Sequence, residues 1–311
     1  MSNILVTGGA GYLGSVLVPL LLKHGHHVTV LDSFLYKQSS LLECCENPEF
    51  QIIRSDCRDE TVIREVIKGQ DYIFPLAAIV GFPACDNDCT AAKTTNLDAV
   101  KLILKHRTPT QRIIFPCTNS GYGKGRGDEY CTEESPFEPV SLYGRTKVEA
   151  EKSVLESGNS VTFRFATLFG ASPRMRTDLL VNDFVYRALT DRSLVVYEGH
   201  FNRNYLHVRD AAAAFIFAME HFDEMKGQTF NCGLSDSNLS KIELCEKIKE
   251  HIPVFTFFEA AAGCDPDQRN YLVSNQKIEA LGFLPNYSLD DGIEELKKAY
   301  SIINKAVYGN A

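Results

Sequence analysis

The chain has 311 residues, 44% of them apolar and 23% charged, with a net charge of −8; this is the composition of a globular protein with room for two domains, or for one domain and a lobe. The acidic balance and the lack of a basic block argue against nucleic acid or an anionic membrane as partner. No apolar run approaches the ~20 residues of a membrane span, and Met1-Ser2-Asn3 leads straight into a strand without a signal peptide, so a cytoplasmic location is expected.

In chain order, residues 4–7 read as an apolar strand. The run Thr7-Gly8-Gly9-Ala10-Gly11-Tyr12-Leu13-Gly14 follows at once and opens a helix over 12–24. Gly8, Gly11 and Gly14 let the backbone turn tightly and approach a pyrophosphate. The helix start, with Tyr12 and Leu13, offers it free N–H groups and a positive dipole end. A strand over 27–31 leads to Asp32, a carboxylate suited to the adenosine ribose hydroxyls and repellent to a 2′-phosphate, which favours NAD over NADP. A strand over 51–54 delivers Asp56-Cys57, candidates for the adenine edge. A helix over 61–68, a strand over 72–76, a helix over 91–105 and a strand over 112–116 follow. The helix over 141–156 carries Tyr143 and Lys147 at i and i+4, stacked on one face. An ammonium one turn from a phenol favours the phenolate and lowers its pKa, so the pair is a candidate base for an alcohol proton. A strand over 161–165 ends the regular alternation.

This pattern predicts an α/β fold: a Rossmann-type, doubly wound parallel sheet with ligands at the carboxyl ends of the strands. Beyond Gly170 come a polar stretch, a helix over 179–189, strands over 204–208 and 229–232 with a helix over 210–221 between them, and then further helices with a loop over 263–270. The expected organisation is an NAD-binding domain over 1–170, rejoined by 204–232, and a smaller interleaved C-terminal substrate lobe from 171–203 and 233–311. The ten cysteines, Cys44, Cys45, Cys57, Cys85, Cys89, Cys117, Cys131, Cys232, Cys245 and Cys264, include no CxxC pair. Cys85 and Cys89 are the nearest thing to a metal half-site and no second half follows, so reduced thiols and no metal are expected.

Four segments in order resemble the extended short-chain dehydrogenase/reductase family, the NAD-dependent nucleotide-sugar epimerases and dehydratases. They are the glycine turn, Leu76-Ala77-Ala78, Thr118-Asn119-Ser120-Gly121-Tyr122-Gly123, and Tyr143-x3-Lys147. Arg164–Gly170, Arg203–Val208 and Phe230–Gly233 resemble later family segments, so the likeness covers nearly the whole chain. The resemblance implies roles. Thr118 would hydrogen-bond the sugar hydroxyl being oxidised, and Tyr143 would take its proton as hydride leaves for the nicotinamide. Lys147 would bind the nicotinamide ribose and hold the tyrosine pKa down. Leu76, Ala77, Ala78 and Asn96 would lie beside the cofactor. Asn119 and Ser120 would meet the substrate. Arg203 and Arg269 are candidates for the diphosphate, a task suited to a guanidinium fork, with a surface ion pair as the alternative, and Arg174 and Arg176, which begin the lobe, meet phosphate or sugar or are simply solvated. The implied partners are a GDP- or UDP-linked sugar and a second copy of the chain, docked through the helix bearing Tyr143 and the helix before it.

Departures from the family pattern narrow the chemistry. The 4,6-dehydratases carry Thr-Asp-Glu where this chain has Thr118-Asn119-Ser120, and neither replacement can serve as acid or base for elimination. Cys117 is out of register for the cysteine of the 3,5-epimerases. Redox chemistry at one carbinol remains, most often C4, ending in a 4-epimer or a 4-keto sugar. Residues 78–85 and 172–178 resemble a bacterial branch that includes a GDP-heptose C4 dehydrogenase of surface polysaccharide, or capsule, biosynthesis. The alternatives are a dehydratase or ketoreductase of the same family, or a non-catalytic NAD-binding sensor. Such sensors usually lose the Tyr or Lys that this chain keeps.

Overall fold

The computed structural model describes residues 1–303 except 126, 128, 262 and 264–266, and leaves out the side chain of Phe82. Cys264 and residues 304–311 of the expected substrate lobe therefore lie outside the described residues. The elements are β1 (Asn3–Thr7), α1 (Gly14–Lys23), β2 (His27–Asp32), β3 (Phe50–Arg54), α2 (Glu60–Val66), β4 (Tyr72–Pro75), α3 (Phe82–Asn87), α4 (Cys89–Lys93), α5 (Ala99–His106), β5 (Arg112–Thr118), β6 (Tyr130–Cys131), α6 (Leu142–Glu156), β7 (Ser160–Phe165) and β8 (Thr167–Phe169). They continue with α7 (Leu180–Thr190), β9 (Ser193–Val196), β10 (Asn202–His207), α8 (Val208–Glu220), α9 (Phe222–Met225), β11 (Thr229–Cys232), β12 (Asn238–Ser240), α10 (Lys241–His251), β13 (Thr256–Glu259), β14 (Leu272–Val273), α11 (Gln276–Glu279) and α12 (Leu289–Ala299).

Seven strands form one parallel sheet in the order β11-β7-β5-β4-β1-β2-β3. Its central strands are apolar on both faces, as a sheet covered on both sides requires: Ile4, Leu5 and Val6 of β1 are fully buried. α1 and α8 cover one face, and α2, α5 and α6 the other. The doubly wound α/β architecture is the one the sequence predicts. A separate apolar core joins α7, α10, α12 and β9 in the lobe. Of residues 204–232, α8 and β11 belong to the large sheet and its cover, while β10 pairs with β8 and β12 in a three-stranded sheet. The helix expected over 91–105 is interrupted by a π turn at Thr94–Asp98. The wider turn carries Asn96 inward, where its amide bonds both main-chain groups of Ile79 (2.8 and 2.9 Å).

One buried ion pair sets where α6 lies. Arg164 on β7 meets Glu151 on α6 at 2.8 Å, with side-chain exposures of 8% and 2%. The same guanidinium donates to the Tyr122 hydroxyl and the Glu133 carbonyl, each at 2.9 Å, and sits 4.0 Å from the centre of the Phe137 ring. Helix, sheet and the turn after β5 are thereby fixed to one another. Removing one partner of such a pair leaves the other charged and buried. Glu151→Gln is expected to lower the unfolding free energy of the ligand-free protein by about 3 kcal/mol. Urea unfolding checks this, and an unchanged midpoint would show that the pair does not anchor the helix.

Candidate active site

The turn after β1 and the loop after β4 touch at the carboxyl edge of the sheet. Gly8 has φ 73°, and a Cβ there would lie 2.6 Å from the Ala77 Cα; a Cβ on Gly14 would lie 2.5 Å from the Gly9 carbonyl oxygen. Gly9, which stands outside the G-x-x-G-x-x-G spacing, is just as constrained, because its Cβ would meet the Val30 side chain at 2.8 Å. The Leu76 N–H donates to the Thr7 carbonyl at 3.0 Å, bringing Leu76, Ala77 and Ala78 beside the glycine turn. Among the described residues, no acceptor pairs with the main-chain N–H of Tyr12 or Leu13 at the start of α1, which is the donor set an anion needs. The Tyr12 side chain is occupied elsewhere, its hydroxyl donating to the Gly170 carbonyl at 2.7 Å.

Asp32 ends β2 with its carboxylate facing the turn. It accepts from the N–H of Ala10 at 2.9 Å and of Phe34 at 2.7 Å, and burial lifts its pKa against those bonds. The Gln38 amide also reaches Oδ1, at 3.5 Å, so Oδ2 is the oxygen that keeps a lone pair for a ribose hydroxyl. The glycine cradle, the open N–H groups and this carboxylate fit a dinucleotide. Asp56 is engaged by Arg58 (2.6 Å), and the Cys57 thiol packs into the core beneath the sheet. Asn96 reaches the Thr146 hydroxyl of α6 at 3.3 Å as well as Ile79, so it ties the loop after β4 to the helix.

Thr118 closes β5, and Tyr143 and Lys147 lie on α6, whose first turn is capped by the Ser141 hydroxyl accepting from the Gly144 N–H at 3.1 Å. The helix comes down directly on the turn after β5, since a Cβ at Gly144 would lie 3.1 Å from the Ser120 carbonyl oxygen. The Thr118 hydroxyl donates to Ser120 Oγ at 2.9 Å, and the Ser120 N–H donates back to Thr118 Oγ1 at 3.1 Å. Asn119 is fully buried, and neither atom of its side-chain amide has a hydrogen-bond partner among the described residues.

The electrostatics differ from the sequence expectation. Burial pushes the Tyr143 phenol well above its ordinary value, and Cys117 and Cys85 add to the rise. The groups that pull it down are the guanidiniums of Arg176 and Arg269, not the ammonium one turn away. Lys147 is 3% exposed, with Nζ 4.1 Å from the centre of the Phe115 ring, and burial lowers its own pKa to about 8. The reason is desolvation, which disfavours both the phenolate and the ammonium in a ligand-free site.

The arginines meet this site from the lobe. Arg176 pairs with Asp178, and Arg174 lies 4.6 Å from the Tyr36 ring centre and donates to the Met175 carbonyl. Arg269 donates to both carboxylate oxygens of Asp267 and to Ser120 Oγ. Arg203, 2% exposed, donates to the carbonyls of Asn202 (2.9 Å) and Arg269 and lies 3.6 Å from the Asp267 carboxylate. Against burial, which pushes it up, the Arg269 and Arg203 guanidiniums hold the Asp267 carboxyl well below the usual carboxylate range. Asp267 was missed by sequence reasoning; its place two residues before Arg269 was the available signal. His207 packs structurally, between the Phe169 and Tyr287 rings and 2.8 Å from Glu295. Among the described residues, no His, Cys, Asp and Glu cluster is arranged to hold a metal ion, and no helix is long and apolar enough to cross a membrane.

The model of the NAD dependent epimerase/dehydratase family matches residues 4–233. The chain belongs to this family. Agl12 of Haloferax volcanii, a low-salt glycan biosynthesis protein, is 28% identical over 305 residues, covering 94% of this chain and 96% of its own. YtcB of Bacillus subtilis, described as an uncharacterized UDP-glucose epimerase, is 29% identical over 309 residues, covering 94% and 95%. The structure of the UDP-glucuronic acid 4-epimerase of Bacillus cereus with UDP-glucuronic acid and NAD matches with a TM-score of 0.84 at 24% identity, covering 97% of this chain and 100% of its own. At that identity the likeness speaks for the fold. The family is NAD-dependent, and NAD is the cofactor that the cradle fits.

Lys147 gives the site a stability signature. A lysine pKa lowered to about 8 makes its charged form costly in the folded chain. By linkage, the cost is complete below pH 8 and fades as pH rises toward the unfolded lysine value near 10.4. In ligand-free protein, Lys147→Met should therefore unfold at a higher temperature than wild type at pH 7, by roughly 3 kcal/mol of stability, with the gap closing by about pH 10.5. Calorimetry across that range checks it; a gap independent of pH would mean that the buried ammonium is not its source.

Proposed function

We propose that this protein oxidises C4 of a nucleotide-activated sugar, as an NDP-sugar 4-epimerase or 4-dehydrogenase. The observation that carries the reading is the meeting of Thr118 and Ser120, at the end of β5, with the first turn of α6, which bears Tyr143, beside a glycine cradle. NAD, when bound, supplies the hydride acceptor and a positive ring. Tyr143 takes the proton of the sugar hydroxyl, and the hydroxyls of Thr118 and Ser120 orient that oxygen. Lys147 holds the cofactor ribose. Arg174, Arg176, Arg203 and Arg269 form the cationic side of the cleft and take the diphosphate, a dianion suited to guanidinium forks. The nonionisable Asn119 and the weakly acidic Ser120 supply no pair for eliminating water, which favours redox chemistry over dehydration.

Within this reading, the substrate is a GDP- or UDP-sugar, with GDP-heptose for surface polysaccharide as the leading candidate by likeness of residues 78–85 and 172–178. The enzyme works in the cytoplasm as a homodimer docked through α5 and α6. Sedimentation at micromolar concentration tests the dimer, and a lone monomer counts against it.

Incubation with GDP- and UDP-sugars, followed by NMR of the C4 stereochemistry, tests the reaction. An inverted C4 centre marks an epimerase, and a 4-keto product with retained NADH marks a dehydrogenase. Tyr143→Phe is expected to lower turnover by at least about 100-fold while NAD affinity stays within twofold. Near-wild-type turnover in that variant would remove Tyr143 from the mechanism.

A further inference from the structure

The loop carrying Arg269 reaches into the catalytic turn itself, not merely toward the cationic side of the cleft. The Arg269 fork holds Asp267 through Nε at 2.5 Å and through Nη2, leaving Nη1 for Ser120 Oγ. The loop is pinned from two directions. Arg203 donates to the main-chain carbonyls of Arg269 and, at 3.3 Å, Asp267. The Asn270 N–H donates to the Gly123 carbonyl at 3.1 Å, and the Asn270 side chain accepts from the Asn202 N–H at 2.8 Å. Ser120 is 1% exposed and Thr118 is 8% exposed.

A guanidinium only donates, so its contact fixes the direction of the bonds beyond it. Ser120 Oγ accepts from Arg269 and, at 2.9 Å, from the Thr118 hydroxyl. Both lone pairs of Ser120 are then filled, and its own O–H meets no acceptor among the described residues. Thr118 has given its proton to Ser120 and one lone pair to the Ser120 N–H at 3.1 Å, which leaves it one lone pair. A hydroxyl that accepts from a cation is a stronger donor in turn, because bonds in a chain polarise one another.

We propose that Asp267 and Arg269 are positioning residues for the oxidation step: acting on Ser120, they make Ser120 the donor to the reacting sugar oxygen and Thr118 an acceptor only. This rests on the sugar-oxidation reading above and exchanges the roles that the resemblance gives to the two hydroxyls. Arg269 thus serves the chemical step in addition to the diphosphate.

The test uses full-length enzyme with UDP-glucose, UDP-glucuronic acid and GDP-mannose, following reduced cofactor at its near-ultraviolet absorbance in single turnovers. The substrate that wild type oxidises is carried forward to Ser120→Ala, Arg269→Lys, Asp267→Asn and the Ser120→Ala/Arg269→Lys double variant. NAD titration first shows that each variant is folded. Ser120→Ala is expected to lose about 100-fold in the oxidation rate, as for loss of one polarised donor, with KM within about threefold of wild type. Asp267→Asn and Arg269→Lys should each lower the same rate at saturating substrate, and the double variant should be no slower than Ser120→Ala alone, because the two act through one relay. Multiplying losses in the double variant, or losses confined to KM, would overturn the positioning role and leave the sugar-oxidation reading intact. A wild type that oxidises none of these sugars, nor any other NDP-sugar, would overturn both.

Discussion

The buried guanidinium of Arg164 is the constraint on which the site depends. The proposed reacting groups come from two elements, the end of β5 and the first turns of α6, that lie some distance apart along the chain. Arg164 holds Glu151 of the helix, Tyr122 of the turn and the Glu133 carbonyl of the following loop at once. An unpaired arginine at that depth would cost several kcal/mol, so the three partners are obliged to stay. The geometry of Thr118, Ser120 and Tyr143 is a by-product of that obligation, with Tyr143 about two turns of helix away from Glu151 of the ion pair.

The charge pattern around the phenol has a logic of its own. Arg176 and Arg269 each keep an aspartate two residues away, Asp178 and Asp267. Each pair is close to neutral as a unit, which makes its burial tolerable, while the guanidinium end still acts on Tyr143. A ligand-free site of this kind holds its tyrosine neutral. Further positive charge beside the phenol would favour its ionisation, so occupancy by a cationic group and acidity of the phenol would rise together.

The sequence was legible where the physics is local. Alternating strands and helices set the large sheet, the glycine spacing marked a turn that has no room for a Cβ at Gly8 or Gly14, and the i, i+4 spacing put Tyr143 and Lys147 on one helix. What stayed hidden depends on partners distant along the chain. The π turn at Asn96 accompanies bonds to Ile79, 17 positions away, and has no signature in helical periodicity. The two-residue strands β6 and β14 pair across 142 positions (Leu272 with Tyr130) and are too short to show a period. The tuning of Tyr143 was misjudged because spacing reports proximity, whereas depth decides which charge survives. Lys147 is near the phenol along the helix yet buried against Phe115, where its own charge is disfavoured.

The short parallel pairing of β6 with β14 has a mechanical meaning. Leu272 and Val273, which closely follow Arg269, lie in register with Tyr130 and Cys131, the next strand after β5 along the chain. The lobe therefore cannot swing as a free lid. Moving the Arg269 segment away from the sheet would have to break this pairing and the bond from the Asn270 N–H to the Gly123 carbonyl.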